Sequence, residues 1–482
     1  MQNVPLQPII LTSNSFKMAS DIDFSTRSKK FLNWFKSQPG TYFHHDLKIV
    51  DLRSQNAGRG IIATKRIEPD TNLFIIPRSL VITKENSTLY TKDPNIFERL
   101  DEIPDLDEEN AEWLKLVVTL IYEDFCGEGS PWKPYIDVLP EIFDTLMFWT
   151  DEQVKELQAS AVVDKIGKSE ADELFRTKLL PFFLNHQYIF SRCGRISQGE
   201  EKTLVHAHQM SSTIMAYAFD LEREEDEDEA EDGWVEDRTD KTLGMVPMAD
   251  MLNADAEFNA HLSHGEENLT MTSLRPIEAG EEVLNYYGPL PNSDLLRRYG
   301  YTSTKHRAHD IVELRWRNIT EAVKAHVAVT DDEIRSALAS FGEDDLEDSF
   351  VLEAEPVEPS SEGLLPRKLT AVKTIPEDLA AQTTALLDEL KQIKPSLKQE
   401  SSVTLWDVFR TAMVSRLAEY STTATEDEKL LRDATGRKRM AIEVRLGEKR
   451  ILQAALELVD QELKDNNHLE GERQTKRQRL EH

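Results

Sequence analysis

Cysteine is nearly absent from this chain. Two residues, Cys126 and Cys193, among 482 leave no material for a disulfide framework or a cysteine-rich zinc module. That usage fits a reducing compartment. Long apolar runs are missing as well. None approaches the roughly 20 residues that a membrane helix needs, so no membrane partner is expected. Basic charge is in deficit: 57 Lys and Arg stand against 88 Asp and Glu, a net charge of −31. Phosphate recognition needs a basic face, so direct nucleic-acid binding is not expected either. The natural complement is a Lys/Arg-rich protein, because opposite fields speed encounter. Residues 1–22 lack the features of a secretory or transit segment, and we expect them to be disordered.

The remainder is rich enough to fold. At 39% hydrophobic residues the chain can bury a large core in two or three domains. Phe24 to Gln38 reads as a helix capped by Ser25 or Thr26, with Phe31, Trp34 and Phe35 on one face. Asn56-Ala57-Gly58-Arg59-Gly60 is a Gly-x-Gly turn between strand-like runs, where backbone can approach a ligand closely. Taken alone it is an ordinary hairpin signal. Glu108 to Phe125 is apolar at helical spacing, and Thr150 with Gln153 spells a capping box for a helix over 151–160. His206 to Leu221 reads as an amphipathic helix. Residues 221–240 carry twelve acidic side chains against two arginines, a block that should stay solvated.

The most informative stretch is 245–301. An apolar strand-like run, Met245 to Leu252, breaks at Asn253. A turn, Ile277 to Val283, feeds a second short strand ending in Asn285-Tyr286-Tyr287-Gly288. Asn292-Ser293-Asp294 can then cap a helix over 295–299. Beyond Tyr301 we expect helices over 311–329, 380–393, 405–420, 426–431 and 437–464, with a loose acidic stretch at 340–361.

The 245–301 stretch resembles the C-terminal half of a SET domain, within the class typified by the Rubisco large-subunit methyltransferase. The wording Met248-Ala249-Asp250-Met251-Leu252-Asn253-Ala254 is similar to the fungal ribosomal lysine methyltransferases. The resemblance implies an α+β SET fold of small β-sheets with a pseudoknot. Its expected bounds are 23–305, with a helical insertion at about 86–240 containing the acidic loop 221–240. An all-helical substrate-binding domain over 306–465 and a polar tail over 466–482 would follow. It implies a protein-lysine methyltransferase using S-adenosyl-L-methionine (SAM), with no metal. His261 and His264 share one segment, but no carboxylate–histidine array completes a zinc set.

By the same resemblance Tyr287 is the catalytic candidate. Ala57, Gly58, Arg59, Tyr217, Asn253, Ala254 and Tyr287 are the cofactor-binding candidates, and Trp132, Ala218 and Asp220 are the substrate contacts. Position 254 departs from the class, where a histidine follows the asparagine. The implied partner is a basic, lysine-containing ribosomal protein, met by a monomeric enzyme in the nucleus or, alternatively, the cytoplasm. A histone or transcription-factor substrate, or a catalytically silent acidic scaffold, are the rival readings.

Overall fold

The structure is a computed structural model. It describes residues 16–55, 57–190, 199–221, 242–341, 349–353, 372–397 and 403–480, with the side chains of 16–22, 109 and 467–480 left out. The acidic block 222–241 and all of 354–371 therefore lie outside the described residues. The chain divides into two compact units, one of Met1–Phe143 with Lys168–Tyr287 and the other of Asp144–Gly167 with Gly288–His482.

The first unit is built on short antiparallel sheets. Strands β1 (Tyr42–Phe43), β2 (Leu47–Asp51), β3 (Arg59–Ala63) and β4 (Asn72–Pro77) come early. Strands β5 (Ala218–Asp220), β6 (Leu243–Met245), β7 (Ala260–His264) and β8 (Asn268–Ser273) follow the helical region. The largest sheet has the order β1-β4-β8-β7, while β2 pairs with β3 and β5 with β6. These strands are rich in branched and aromatic residues, which suit a pleated surface. Leu73, Phe74 and Ile76 of β4 and Leu269 and Met271 of β8 are fully buried together.

Helices cover the sheets. Glu108–Cys126 starts at Asp107, whose carboxylate accepts from the Asn110 N–H. It stops at Gly127, which adopts a φ of 52°. Leu114, Val118 and Ile121 fall on its buried face, at the spacing anticipated above. Among the described residues no helix is long and apolar enough to cross a membrane.

The second unit is helical, with Trp316–His326, Glu377–Ile393, Leu405–Ala418 and Ala424–Leu430 packing with the long helix Gly436–Leu480. One antiparallel pair, β9 (Ile311–Arg315) and β10 (Ser349–Glu353), is added to it. Its interior holds a charged knot. The Asp427 carboxylate accepts from Arg445 Nη2 at 2.7 Å and from the Lys449 ammonium, all three side chains at most 1% exposed.

Several local expectations need correction. The first helix runs Phe16–Ser37, so Ser25 and Thr26 sit inside it rather than at its cap. No Gly or Pro interrupts that stretch, so nothing stops the helix from starting earlier. The helix expected over 206–221 is Glu200–Tyr217, and Ala218–Asp220 leaves it as a strand because β6 offers a pairing edge. Residues 311–315 are a strand, not helix, with Val312 and Leu314 alternating inward against β10. β10 itself lies within the stretch expected to be loose. The capping box at Thr150 forms, but its helix ends at Val154, and Gln158 turns the chain with a φ of 56°. Asn292–Asp294 is already helical, with Pro291 at the cap position.

Candidate active site

The site begins with a backbone crossing in the first unit. The segment 281–283 lies along β3: the Ala63 N–H donates to the Glu281 carbonyl at 2.9 Å, and the Val283 N–H to the Ile61 carbonyl at 2.8 Å. Two residues later the same segment meets 253–255. The Asn285 N–H donates to the Asn253 carbonyl at 2.9 Å, the Asp255 N–H to the Asn285 carbonyl at 3.2 Å, and Ala254 forms a parallel bridge with Asn285. Neither segment is the strand expected from sequence: β6 ends at Met245, Ala249–Met251 is a 3-10 turn, and Glu282 and Asn285 make only isolated bridges, yet the two are tied into one crossing.

Asn253 is fixed by its side chain. Its Nδ2 donates to the Arg59 carbonyl at 3.1 Å and to Glu282 Oε1 at 2.7 Å. Both amide protons thus face protein, which leaves Oδ1 as the group for a ligand. Burial raises the Glu282 pKa, an effect that the Asn253 bond offsets. The Tyr287 hydroxyl donates to the Leu252 carbonyl at 3.2 Å, so the tyrosine is anchored one residue before Asn253. Tyr286 points elsewhere and stacks on Phe258 at 4.5 Å between centroids.

A cavity of about 400 Å³ opens beside the crossing. Gly58, Arg59, Tyr217 and Asn253 line it together, four of the residues singled out from sequence. A Cβ built on Gly58 would meet nothing within 4 Å, so open space adjoins its backbone. Gly60 is different: its Cβ would stand 2.5 Å from Glu282 Oε1 and 2.5 Å from Leu52 Cδ1. This glycine lets the Asn253–Glu282 pair press against β3. Ala57 closes the turn by donating its N–H to the Leu52 carbonyl at 3.2 Å.

The substrate-contact candidates lie elsewhere. The Trp132 ring is 5% exposed, packs in the core and donates its Nε1–H to the Leu80 carbonyl at 2.8 Å. Its size and bound N–H make it a packing residue of the interior, not a wall of the cavity. Ala218 and Asp220 are half-buried in β5 and do not line the cavity. Tyr287 is not among the lining residues either; it belongs to the site through the crossing.

Sequence reasoning missed much of the cavity wall. The Tyr135 hydroxyl donates to Asp250 Oδ2 at 2.5 Å, and both residues line the cavity. Burial pushes the Asp250 carboxyl up to about 7, against the stabilising bond from Tyr135, and raises the Tyr135 pKa well above its ordinary value. Asp250 Oδ1 is buried with no hydrogen-bond partner among the described residues. Met248, two residues before it, adopts a φ of 88°, a strained conformation for a side-chain-bearing residue. Asp250 stands inside the quoted motif, so its proximity to Asn253 was available as a signal. Asp23, Phe24 and Arg27 from the first helix, and the loop 137–142, also line the cavity. No sequence signal placed them there. Among the described residues, His44, His45 and Asp46 bring three metal-ligand atoms within 4.8 Å of one another. Their donors are engaged, since His44 Nδ1 accepts the Asp46 N–H at 3.2 Å and Asp46 takes Lys65 at 2.8 Å.

Comparison with known proteins agrees with this geometry. The SET domain family matches residues 58–288, and the Rubisco LSMT substrate-binding family matches residues 334–452. Ribosomal lysine N-methyltransferase 4 of Saccharomyces cerevisiae is 34% identical over 311 residues, spanning 63% of this chain and 60% of that protein. N-lysine methyltransferase SETD6 of Bos taurus is 26% identical over 439 residues, 85% of this chain and 90% of that one. The solved SET domain of LSMT bound to lysine and AdoHcy superposes with a TM-score of 0.62 at 20% identity, covering 92% of both chains. Rubisco LSMT bound to AdoMet gives 0.58 at 21% identity, over 90% of this chain and 92% of that one. The fold is thus a SET fold. The chain carries a SET domain followed by a region that matches the Rubisco LSMT substrate-binding family, and it spans about 60% of the length of its yeast relative.

Proposed function

We propose that this chain is a SAM-dependent N-methyltransferase acting on a lysine of a basic large-subunit ribosomal protein. The observation that carries the reading is the crossing of 253–255 with Asn285, with Tyr287 tied to Leu252, beside a cavity lined by Gly58, Arg59 and Asn253. The residues present fit SAM. A volume of about 400 Å³ is within the usual range for small-molecule sites. Gly58 leaves open space next to backbone, and Asn253 has an amide oxygen able to accept from an ammonium.

When bound, SAM supplies a methyl carried on a positive sulfur. The chain has to present an uncharged amine in line with it. At a lysine pKa of ~10.4 only about one side chain in ~2,500 is neutral at pH 7, a deficit of roughly 4.6 kcal/mol. Desolvation and a neighbouring positive charge both lower that pKa. Alignment contributes on the order of 7–11 kcal/mol of effective molarity. Tyr287 is the orienting group. Its hydroxyl donates to the Leu252 carbonyl, which fixes the ring, and a phenol oxygen has lone pairs with which to accept from an amine. Trp132, Ala218 and Asp220 stay outside this assignment.

The name of the yeast relative supports a ribosomal substrate, and the net charge of −31 suits a basic one. The basic cluster Lys476-Arg477-Gln478-Arg479 supports a nuclear address, and we take the enzyme to act as a monomer. The test is transfer of labelled methyl from SAM into ribosomes of a strain lacking this protein. One labelled basic band, mapped to one lysine, is the expected result. Label appearing only in a nuclear extract moves the substrate to another protein, and absence of SAM binding returns the chain to a silent scaffold.

A further inference from the structure

Tyr286 adjoins the catalytic candidate in the chain but takes no part in the cofactor cavity. The Tyr287 hydroxyl turns to the Leu252 carbonyl, whereas the Tyr286 ring turns to half-buried Phe258. The two rings stack with centroids 4.5 Å apart and planes inclined by 28°, and Tyr286 is 42% exposed. A single apolar side chain on a surface needs no explanation. This pair is held in place by a buried asparagine. The Asn259 N–H donates to the Leu284 carbonyl at 3.1 Å, its Oδ1 accepts the Leu284 N–H at 2.8 Å, and its Nδ2 donates to the Glu282 carbonyl at 2.8 Å. Asn259 is fully buried. Phe258 precedes Asn259 and Tyr286 stands two residues after Leu284, so both rings project from backbone that these bonds fix.

Elsewhere the chain covers aromatic faces with cations of its own. Arg53 and Arg59 lie over Phe24, Lys36 over Phe43, Lys92 over Tyr122, and Arg416 and Lys449 over Tyr420. Among the described residues no cation lies over Phe258 or Tyr286. The segment that carries Phe258 is acidic instead. Asp255 and exposed Glu257 precede it, and Asp255 Oδ1 accepts the Glu257 N–H at 2.9 Å. The face of an aromatic ring is negative and attracts an ammonium or a guanidinium. Neighbouring carboxylates strengthen that attraction and repel an anion. The net charge of −31 acts in the same sense at longer range.

We propose that the Tyr286 ring, backed by Phe258, is a docking platform for a Lys or Arg side chain next to the acceptor lysine in the protein substrate. This rests on the methyltransferase reading above and deepens it, because it names a residue that selects the substrate's sequence. Tyr287 orients the acceptor amine, and Tyr286 is one residue away. A side chain held at Tyr286 therefore belongs to a close neighbour of the acceptor in the substrate's own chain.

The test uses the full chain, labelled SAM and a peptide library with a fixed central lysine and randomised flanks. The wild type should favour Lys or Arg over Ala at one or two flanking positions by about 3- to 10-fold in kcat/KM, the range of a partly exposed cation–π contact. Tyr286→Ala should bring that preference within about twofold, with the change falling on KM and not on kcat. Tyr286→Phe keeps the ring face and should keep the preference. Phe258→Ala should reduce it, and Tyr286→Lys should turn it against basic flanks. Melting temperature and S-adenosylhomocysteine affinity, recorded for every variant, separate these effects from misfolding and from loss of the cofactor. A wild type that methylates the library without regard to basic flanks overturns the proposal and leaves the enzyme reading intact. So does a Tyr286→Ala protein that retains the preference, or a Tyr286→Phe protein that loses it as fully as Tyr286→Ala. If the wild type transfers methyl neither to the library nor to large ribosomal subunits and binds no S-adenosylhomocysteine, the methyltransferase reading itself fails.

Discussion

Gly58 and Gly60 stand two residues apart in one turn, and the structure gives them opposite sensitivities. A Cβ at position 60 would lie 2.5 Å from Glu282 Oε1, 2.5 Å from Leu52 Cδ1 and 3.2 Å from Asn253 Nδ2. Leu52 is buried, so the carboxylate has to swing away, and the 2.7 Å bond to Asn253 goes with it. Overpacking costs about 1–3 kcal/mol. Loss of a hydrogen bond to a charged group costs roughly 1.5–3 kcal/mol. The methyl's restriction of the unfolded chain returns ~0.5–1 kcal/mol. Gly60→Ala should therefore lose about 2–4 kcal/mol, seen as a fall in melting temperature on the order of 5–15 °C for a domain of this size. It should also weaken S-adenosylhomocysteine at least ~10-fold, because Asn253 is no longer held. Gly58→Ala meets nothing within 4 Å, so its melting temperature should stay within about 1 °C while ligand affinity drops. Differential scanning calorimetry and titration calorimetry on both variants read the pair. A Gly60→Ala protein that melts and binds like the wild type would refute the reasoning.

Three further outcomes follow from the same geometry. Tyr287→Phe removes the hydroxyl bound to Leu252 and should cut kcat by about 100-fold or more while ligand affinity stays within about twofold; unimpaired turnover in single-turnover assays removes Tyr287 from its role. Asp427→Ala leaves Arg445 and Lys449 buried without their carboxylate and should cost about 3–5 kcal/mol in denaturant titrations, with Asp427→Asn milder. Asp250 is held at about 7 against an ordinary 3.8, so the native state keeps a proton that the unfolded state has lost. Its stabilising contribution is complete below about pH 4 and is lost as pH rises through 7. Asp250→Asn should flatten the decline of melting temperature over that window, and a parallel wild-type profile counts against the assignment.

Local chemistry legible in the residues came through where neighbours close in sequence decide it. The helix at 108–126 follows from a 3.6-residue apolar period and an Asp cap, and the Thr150 capping box forms as written. The Gly-x-Gly turn was visible for the same reason, whereas the strands expected to end at Asn253 and Tyr287 are absent, their segments held by isolated bridges. Resemblance of the 245–301 stretch supplied the fold and the cofactor class.

What tertiary structure alone decided is which of these residues meet. Ala218–Asp220 became a strand because β6 lay ready to pair, and Ile311–Arg315 because β10 did, though each adjoins a helix that propensity would have continued. Trp132 carried no mark to separate a cavity wall from the core; only the carbonyl of Leu80, 52 residues earlier, settles where its N–H goes. Gly60 serves Glu282 and Asn253, not the ligand side of the turn, a distinction of one Cβ direction in a strand. Phe24, Arg59 and Asp250 occupy three distant parts of the chain and share one cavity. Pattern along the chain determines what each segment can form, whereas desolvation and long-range pairing determine what its side chains then do.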